Sequence, residues 1–132
     1  GDIDKDEAVQ ALIKTAGIQE MVICPGKVDA STYYSAMDAF FFPSLFEGFS
    51  VALVEAQAAG LSCVVADTVD AGSAISGHVY FVSIRDTAQA VEKLLEIKNG
   101  SGKRESFGNE LYDIRNSSKK MFEYYRSQLR EN

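Results

Sequence analysis

Two carboxylates, Glu47 and Glu55, stand with seven residues between them in the stretch PSLFEGFSVALVEAQAAGL, which runs from Pro43 to Leu61. Acids in the most apolar part of a chain need a physical reason. A local one is available for the first: Ser44 and Glu47 fit the S-x-x-E capping box, and the helix macrodipole favours an acid near a helix start. That reading puts Gly48 in the first turns of the helix, where it costs up to about 1 kcal/mol relative to alanine. It leaves Glu55 unexplained. On a helix, Val51, Val54 and Ala58 share the face of Glu55, and the remaining positions of VALVEAQAAGL are almost all apolar, Gln57 excepted. Such a helix is expected to be buried. A buried carboxylate needs hydrogen-bond donors. The vicinal hydroxyls of a ribose would serve, and so would a backbone amide or a basic side chain. The glycine adds a third element, since the amides of Gly48, Phe49 and Ser50 at a helix start could hold a diphosphate. Were the whole stretch helical, the two acids would lie about 12 Å apart along the axis. That span suits the two ends of one elongated ligand. It is too long for a paired-carboxylate hydrolase, whose acids stand about 6.5–9.5 Å apart or closer.

The elements that must position these groups are legible as short apolar runs and helical patterns. MVIC from Met21, AFFF from Ala39, CVVA from Cys63 and VYFV from Val79 are of strand length and do not alternate, which fits a sheet covered on both faces. Helical spacing predicts helices over Asp4–Thr15 with Gly17 as the stop, near Thr32–Met37, over Gly48–Ala59 with Gly60 as the stop, over Thr87–Lys98, and over Ser117–Leu129. The order α-β-α-β-α-β-β-α-α implies an α/β fold, with a Rossmann-like, mostly parallel sheet and helices on both faces. Ligands of such sheets bind beyond the carboxyl ends of the strands. The loop after AFFF delivers Ser44, Glu47 and Gly48 to that edge. The tyrosine pairs Tyr33–Tyr34 and Tyr124–Tyr125 read as packing, and His78 as a turn or strand-edge residue.

At 132 residues the chain suits one domain. Its formal net charge of −6 argues against a nucleic-acid partner and gives no support for docking on anionic lipid. The polar start GDIDKDEAVQ is no signal peptide, and Glu47 and Glu55 interrupt the longest apolar stretch, which rules against a membrane span there. Two cysteines, Cys24 and Cys63, are too few for a zinc site and read as buried reduced thiols of a cytoplasmic protein.

With these residues in view, FFFPSLFEGFSVALVEAQAAGLSCVVAD resembles the signature region of the retaining GT-B glycosyltransferases of family 4, glycosyl transferases group 1. An apolar strand leads into Pro-Ser, then Glu-Gly-Phe, seven residues between two glutamates, Glu-Ala, and a glycine before the next strand. MVICPGKVD, YYSAMDAFFF and the C-terminal YDIRNSSKKMFEYY extend the likeness over nearly the whole chain. The resemblance implies transfer of a sugar from a nucleotide-sugar donor to a hydroxyl acceptor with retention and without a metal or other cofactor. Residue by residue, it implies that Glu47 contacts the donor sugar near the reacting carbon. Gly48 and Phe49, with Ser50, bind phosphate or sugar oxygens through backbone amides. Glu55 holds the ribose, Ser44 shapes the loop, and Gly26, Lys27 and Val28 fall where the family contacts the nucleobase. The implied acceptor is a glycan or lipid-linked sugar, in cell-surface polysaccharide or glycoconjugate synthesis. The implied place is the cytoplasm, with a peripheral position at the inner membrane open to the full enzyme.

The family's N-terminal acceptor domain has no counterpart in this sequence. The opening strand, helix and second strand of its C-terminal domain, which carry a basic pair for the diphosphate, are also without one. The resemblance therefore leads us to expect a single donor-binding domain over residues 1–132 that is N-terminally truncated, has a rearranged sheet, or pairs with a second chain. Two other readings stand beside the transferase: a non-catalytic nucleotide-sugar-binding or interaction module, and a GT-B-like epimerase, which the spacing of the two acids disfavours.

Overall fold

The structure is a computed structural model, and it describes residues 5–101, 104 and 113–128. The chain divides into two compact units, Gly1–Tyr33 and Tyr34–Asn132.

In the N-terminal unit, α1 (Glu7–Thr15) begins at Asp6, whose carboxylate accepts from the amides of Ala8 at 3.0 Å and Val9 at 3.2 Å. It ends at Gly17, which takes a φ of 67° that a side chain would disfavour. The predicted strand MVIC does not form. Gln19–Met21 is a 3₁₀ turn, Val22 is extended, and no strand pairs with this segment among the described residues. An apolar run becomes a strand only where a neighbour takes up its amides and carbonyls. Here Met21 and Ile23 are exposed, and Cys24 is half-exposed rather than buried. The unit boundary falls within α2 (Ala30–Ala36).

The second unit holds the sheet. The strands β1 (Ala39–Phe42), β2 (Ser62–Ala66) and β3 (Val79–Val82) lie parallel in the order β1-β2-β3, with Ala39 opposite Ser62 and Cys63 opposite Val79. All five residues of β2 are buried, as the non-alternating sequence predicts for a strand covered on both faces. Val64 packs with Val82 of β3 and with Ala90 and Ile97 from the region of α4 (Thr87–Glu96). On the other face, Phe40 and Phe42 stack at 5.7 Å, and Phe40 meets the Tyr34 ring edge-on at 6.0 Å. Cys63 is free, and burial pushes its thiol up to about 12, so it stays a neutral core group. The crossover helix α3 spans Val51–Ala58. The tail helix α5 spans Ile114–Gln128; Leu129 lies outside the described residues. No described helix is long and apolar enough to cross a membrane.

Candidate functional site

The site is built from the loops that leave the carboxyl ends of β1 and β2. From Pro43 to Ser50 the chain is a bent loop, with Glu47 alone in a backbone bridge. It is held against the segment after β2 by two contacts: the Thr68 hydroxyl donates to the Ser44 carbonyl at 2.5 Å, and Glu47 forms a parallel backbone bridge with Val69. The Ser44 hydroxyl donates to the Phe46 carbonyl at 3.2 Å. The capping box expected of Ser44 and Glu47 is therefore absent. Ser50 caps α3 instead, its Oγ accepting from the Leu53 amide at 3.3 Å, and the helix begins at Val51. Because Glu47 lies in the loop ahead of α3, a separation of Glu47 and Glu55 counted along a helix does not apply.

The sequence-predicted residues have different surroundings. Glu47 is half-buried, and Gly48 is exposed; a Cβ built there would meet nothing within 4 Å. Phe49 is exposed at 52%. Ser50 is buried, and its amide donates to the Ser73 hydroxyl at 3.1 Å, so both its side chain and its amide are used inside the fold. Gly26, Lys27 and Val28 belong to the N-terminal unit, where Gly26 takes a φ of 71° and Lys27 and Val28 are exposed.

Glu55 corrects a second expectation. It is exposed, as are Val51 and Ala58, whereas Leu53, Ala56 and Gln57 form the buried side of α3. The carboxylate is not a charge sealed in the core. It is a surface acid with one built-in partner, the Tyr34 hydroxyl, which lies 3.2 Å from Glu55 Oε2 and 3.3 Å from the Ala52 carbonyl. Tyr34 is buried, and burial raises its phenol above the ordinary range, with the neighbouring Glu55 charge pushing the same way. An acid held protonated in the fold contributes stability that is complete below its unfolded pKa of about 10 and is lost as the pH rises beyond it. Comparing the alkaline absorbance titration of the protein with that of Tyr34→Phe isolates this phenol. In a Glu55→Gln background its ionisation should move to lower pH. An unmoved curve would mean that the two groups are not held together in solution.

The polar residue that the sequence reading passed over is Gln57. It is 1% exposed, and its amide is fully used. Nε2 donates to the carbonyls of Leu53 at 2.9 Å and Ser73 at 2.8 Å, while Oε1 accepts from the amides of Ile75 at 2.8 Å and Ser76 at 2.9 Å and from the Ser76 hydroxyl at 3.1 Å. Gln57 thus fixes the 73–76 segment, and Ser73 in turn holds the start of α3. A second unanticipated group is Arg104, whose guanidinium donates to the carbonyls of Tyr34 and Ser35 and to that of Ala59. A cation at these two helix C-termini satisfies end carbonyls and complements both dipoles. An apolar cavity of about 210 Å³ opens at the same sheet edge, between Pro43, Ala66, Ser83 and Thr87, and none of the predicted site residues lines it.

A parallel sheet with helices on both faces, and with its polar loops gathered at the carboxyl edge, defines part of a Rossmann-like domain. The model of the family described as Glycosyl transferases group 1 matches residues 1–98, and the chain belongs to that family. A curated protein of Bacillus subtilis (strain 168), named "Putative glycosyltransferase EpsF", is 56% identical over 39 residues, which is 26% of this chain and 10% of that protein. No solved structure matches the chain.

Proposed function

We propose that this chain is the donor-binding part of a retaining, metal-independent GT-B glycosyltransferase of family 4. It takes a sugar from a nucleotide-sugar and passes it to a hydroxyl of a glycan or lipid-linked acceptor in the synthesis of cell-surface polysaccharide or glycoconjugate. The observation that carries the reading is the loop 43–50, tied to the segment after β2 and running into α3, with Glu47 in the loop and Glu55 on the exposed side of the helix. In this reading Glu47 accepts from hydroxyls of the donor sugar. The amides of Gly48 and Phe49 face the diphosphate, and the open space over Gly48 lets a phosphate approach the backbone. Ser50 contributes by capping α3. Glu55 accepts from the ribose.

The reaction breaks the bond between the anomeric carbon and the diphosphate oxygen, whose electron pair leaves with the phosphate. The acceptor oxygen bonds the same carbon, and its proton passes to the departing diphosphate oxygen. Fixed amides at the departing phosphate would stabilise the charge that grows there.

Titrating the chain with UDP, GDP and ADP, and with their sugar conjugates, tests the reading by calorimetry while released sugar is followed. One nucleoside diphosphate should bind saturably, and Glu55→Gln should weaken it about tenfold, the loss of a hydrogen bond to a charged acceptor. Absence of nucleotide binding at millimolar concentration would end the proposal. Unchanged affinity in Glu55→Gln would remove the ribose role. Binding of nucleotide and sugar conjugate without turnover would favour the non-catalytic module.

A further inference from the structure

We infer that Tyr34 is a positioning residue for nucleotide recognition: its buried hydroxyl orients the Glu55 carboxylate so that Glu55 can accept from the two ribose hydroxyls. The inference rests on the donor-binding reading above and goes beyond it by assigning a role to a residue on a different element. A glutamate on an exposed helix face samples several rotamers, and ordering it on binding costs affinity. Tyr34 reduces that freedom. It is 5% exposed, its ring is fixed edge-on to Phe40 of β1, and its hydroxyl lies 3.2 Å from Oε2. A phenol has one proton to donate, and the Ala52 carbonyl at 3.3 Å is its other acceptor. Both acceptors belong to α3, so the hydroxyl is aimed at one turn of that helix whichever it serves. With Oε2 turned toward the phenol, Oε1 is left to accept from a ligand. Arg104 steadies the arrangement from behind by holding the carbonyls of Tyr34 and Ser35 together with that of Ala59.

The test uses UDP, GDP and ADP, and then the 2′,3′-dideoxy form of whichever binds, with Kd measured for the unmodified chain, Tyr34→Phe, Glu55→Gln and the double variant. Tyr34→Phe keeps the ring against Phe40, and a thermal melt confirms that it folds. The expected result is an affinity for the ribonucleotide about fivefold weaker in Tyr34→Phe. Affinity for the dideoxy form should not change, and Tyr34→Phe should have no further effect in the Glu55→Gln background. A purely structural role would weaken both nucleotides alike and add to the effect of Glu55→Gln; either result overturns the inference. A ribonucleotide that binds, and that Glu55→Gln weakens but Tyr34→Phe does not, overturns it while leaving the donor-binding reading intact. If no nucleotide binds the unmodified chain, both fall.

Discussion

Gln57→Ala should lower the stability of the chain by about 3 kcal/mol or more, the largest effect expected of any single polar substitution at the site. The reason is what the side chain leaves behind. Its removal strips a partner from the carbonyl of Ser73, from the amides of Ile75 and Ser76, and from the Ser76 hydroxyl, all in or beside the core. Each buried group left unpaired costs about 1–3 kcal/mol. Relaxation of the 73–76 segment and entry of water would recover part of that sum, which is why the expected loss lies near one or two such terms. Gln57→Leu is the informative control. It restores apolar volume without restoring a donor or an acceptor, and so should rescue little. Urea denaturation with an unchanged m-value measures both. A loss below about 1 kcal/mol would show that water replaces the amide and that the 73–76 segment needs no clamp. The same substitution should disturb ligand binding, because Ser73 holds the Ser50 amide at the start of α3.

Gln57 also shows where the sequence stops being readable. The three strands of the sheet are plain in it: AFFF and VYFV form at the predicted residues, and CVVA lies within Ser62–Ala66. Such runs are short and apolar, with glycine, proline, serine or aspartate within two residues of each end, which favours the strand assignment. MVIC has the same composition but remains unpaired among the described residues, because strand formation also requires a partner that composition does not reveal. The faces of α3 are illegible for a different reason. Val51, Ala52, Leu53, Val54, Ala56 and Ala58 put apolar groups all around the helix, so the pattern points in no direction. Glu55 looked buried and is exposed, while Gln57 looked incidental and is at the centre of a network. The available signal was the irregular segment AGSAIS from Ala71 to Ser76, whose backbone groups need partners that a polar side chain on a neighbouring helix can supply. The cap of α3 differs as well: Ser44 with Glu47 fits the capping-box pattern, but the helix begins at Val51 and Ser50 caps it. Tyr34, read as packing, does pack; its hydroxyl gains meaning only once α2 and α3 are seen side by side.

Glu47→Gln should reduce sugar release or transfer by about 10- to 100-fold while leaving the Kd of the plain nucleoside diphosphate within about twofold of its unmodified value. The two halves of the expectation come from different parts of the geometry. The backbone of Glu47 is held by its bridge to Val69, and α3 is capped by Ser50. An isosteric change of the side chain therefore removes no cap, and the melting temperature should move by no more than about 2 °C, as for a surface substitution. What the change does remove is the negative charge and one strong acceptor at the place proposed for the donor sugar. A sugar hydroxyl donating to a carboxylate is worth about 1.5–3 kcal/mol, and if the bond tightens as the anomeric carbon gains positive character the loss falls mainly on turnover. The decisive comparison is between ligands: in the unmodified chain the nucleotide-sugar should bind more tightly than the nucleotide, and in Glu47→Gln that advantage should shrink toward nothing. Equal weakening of both ligands together with a lowered melting temperature would return Glu47 to a structural role. A nucleotide-sugar advantage that survives the substitution would place the sugar elsewhere on the sheet edge, and the apolar cavity beside Pro43 and Ser83 would then be the first place to look.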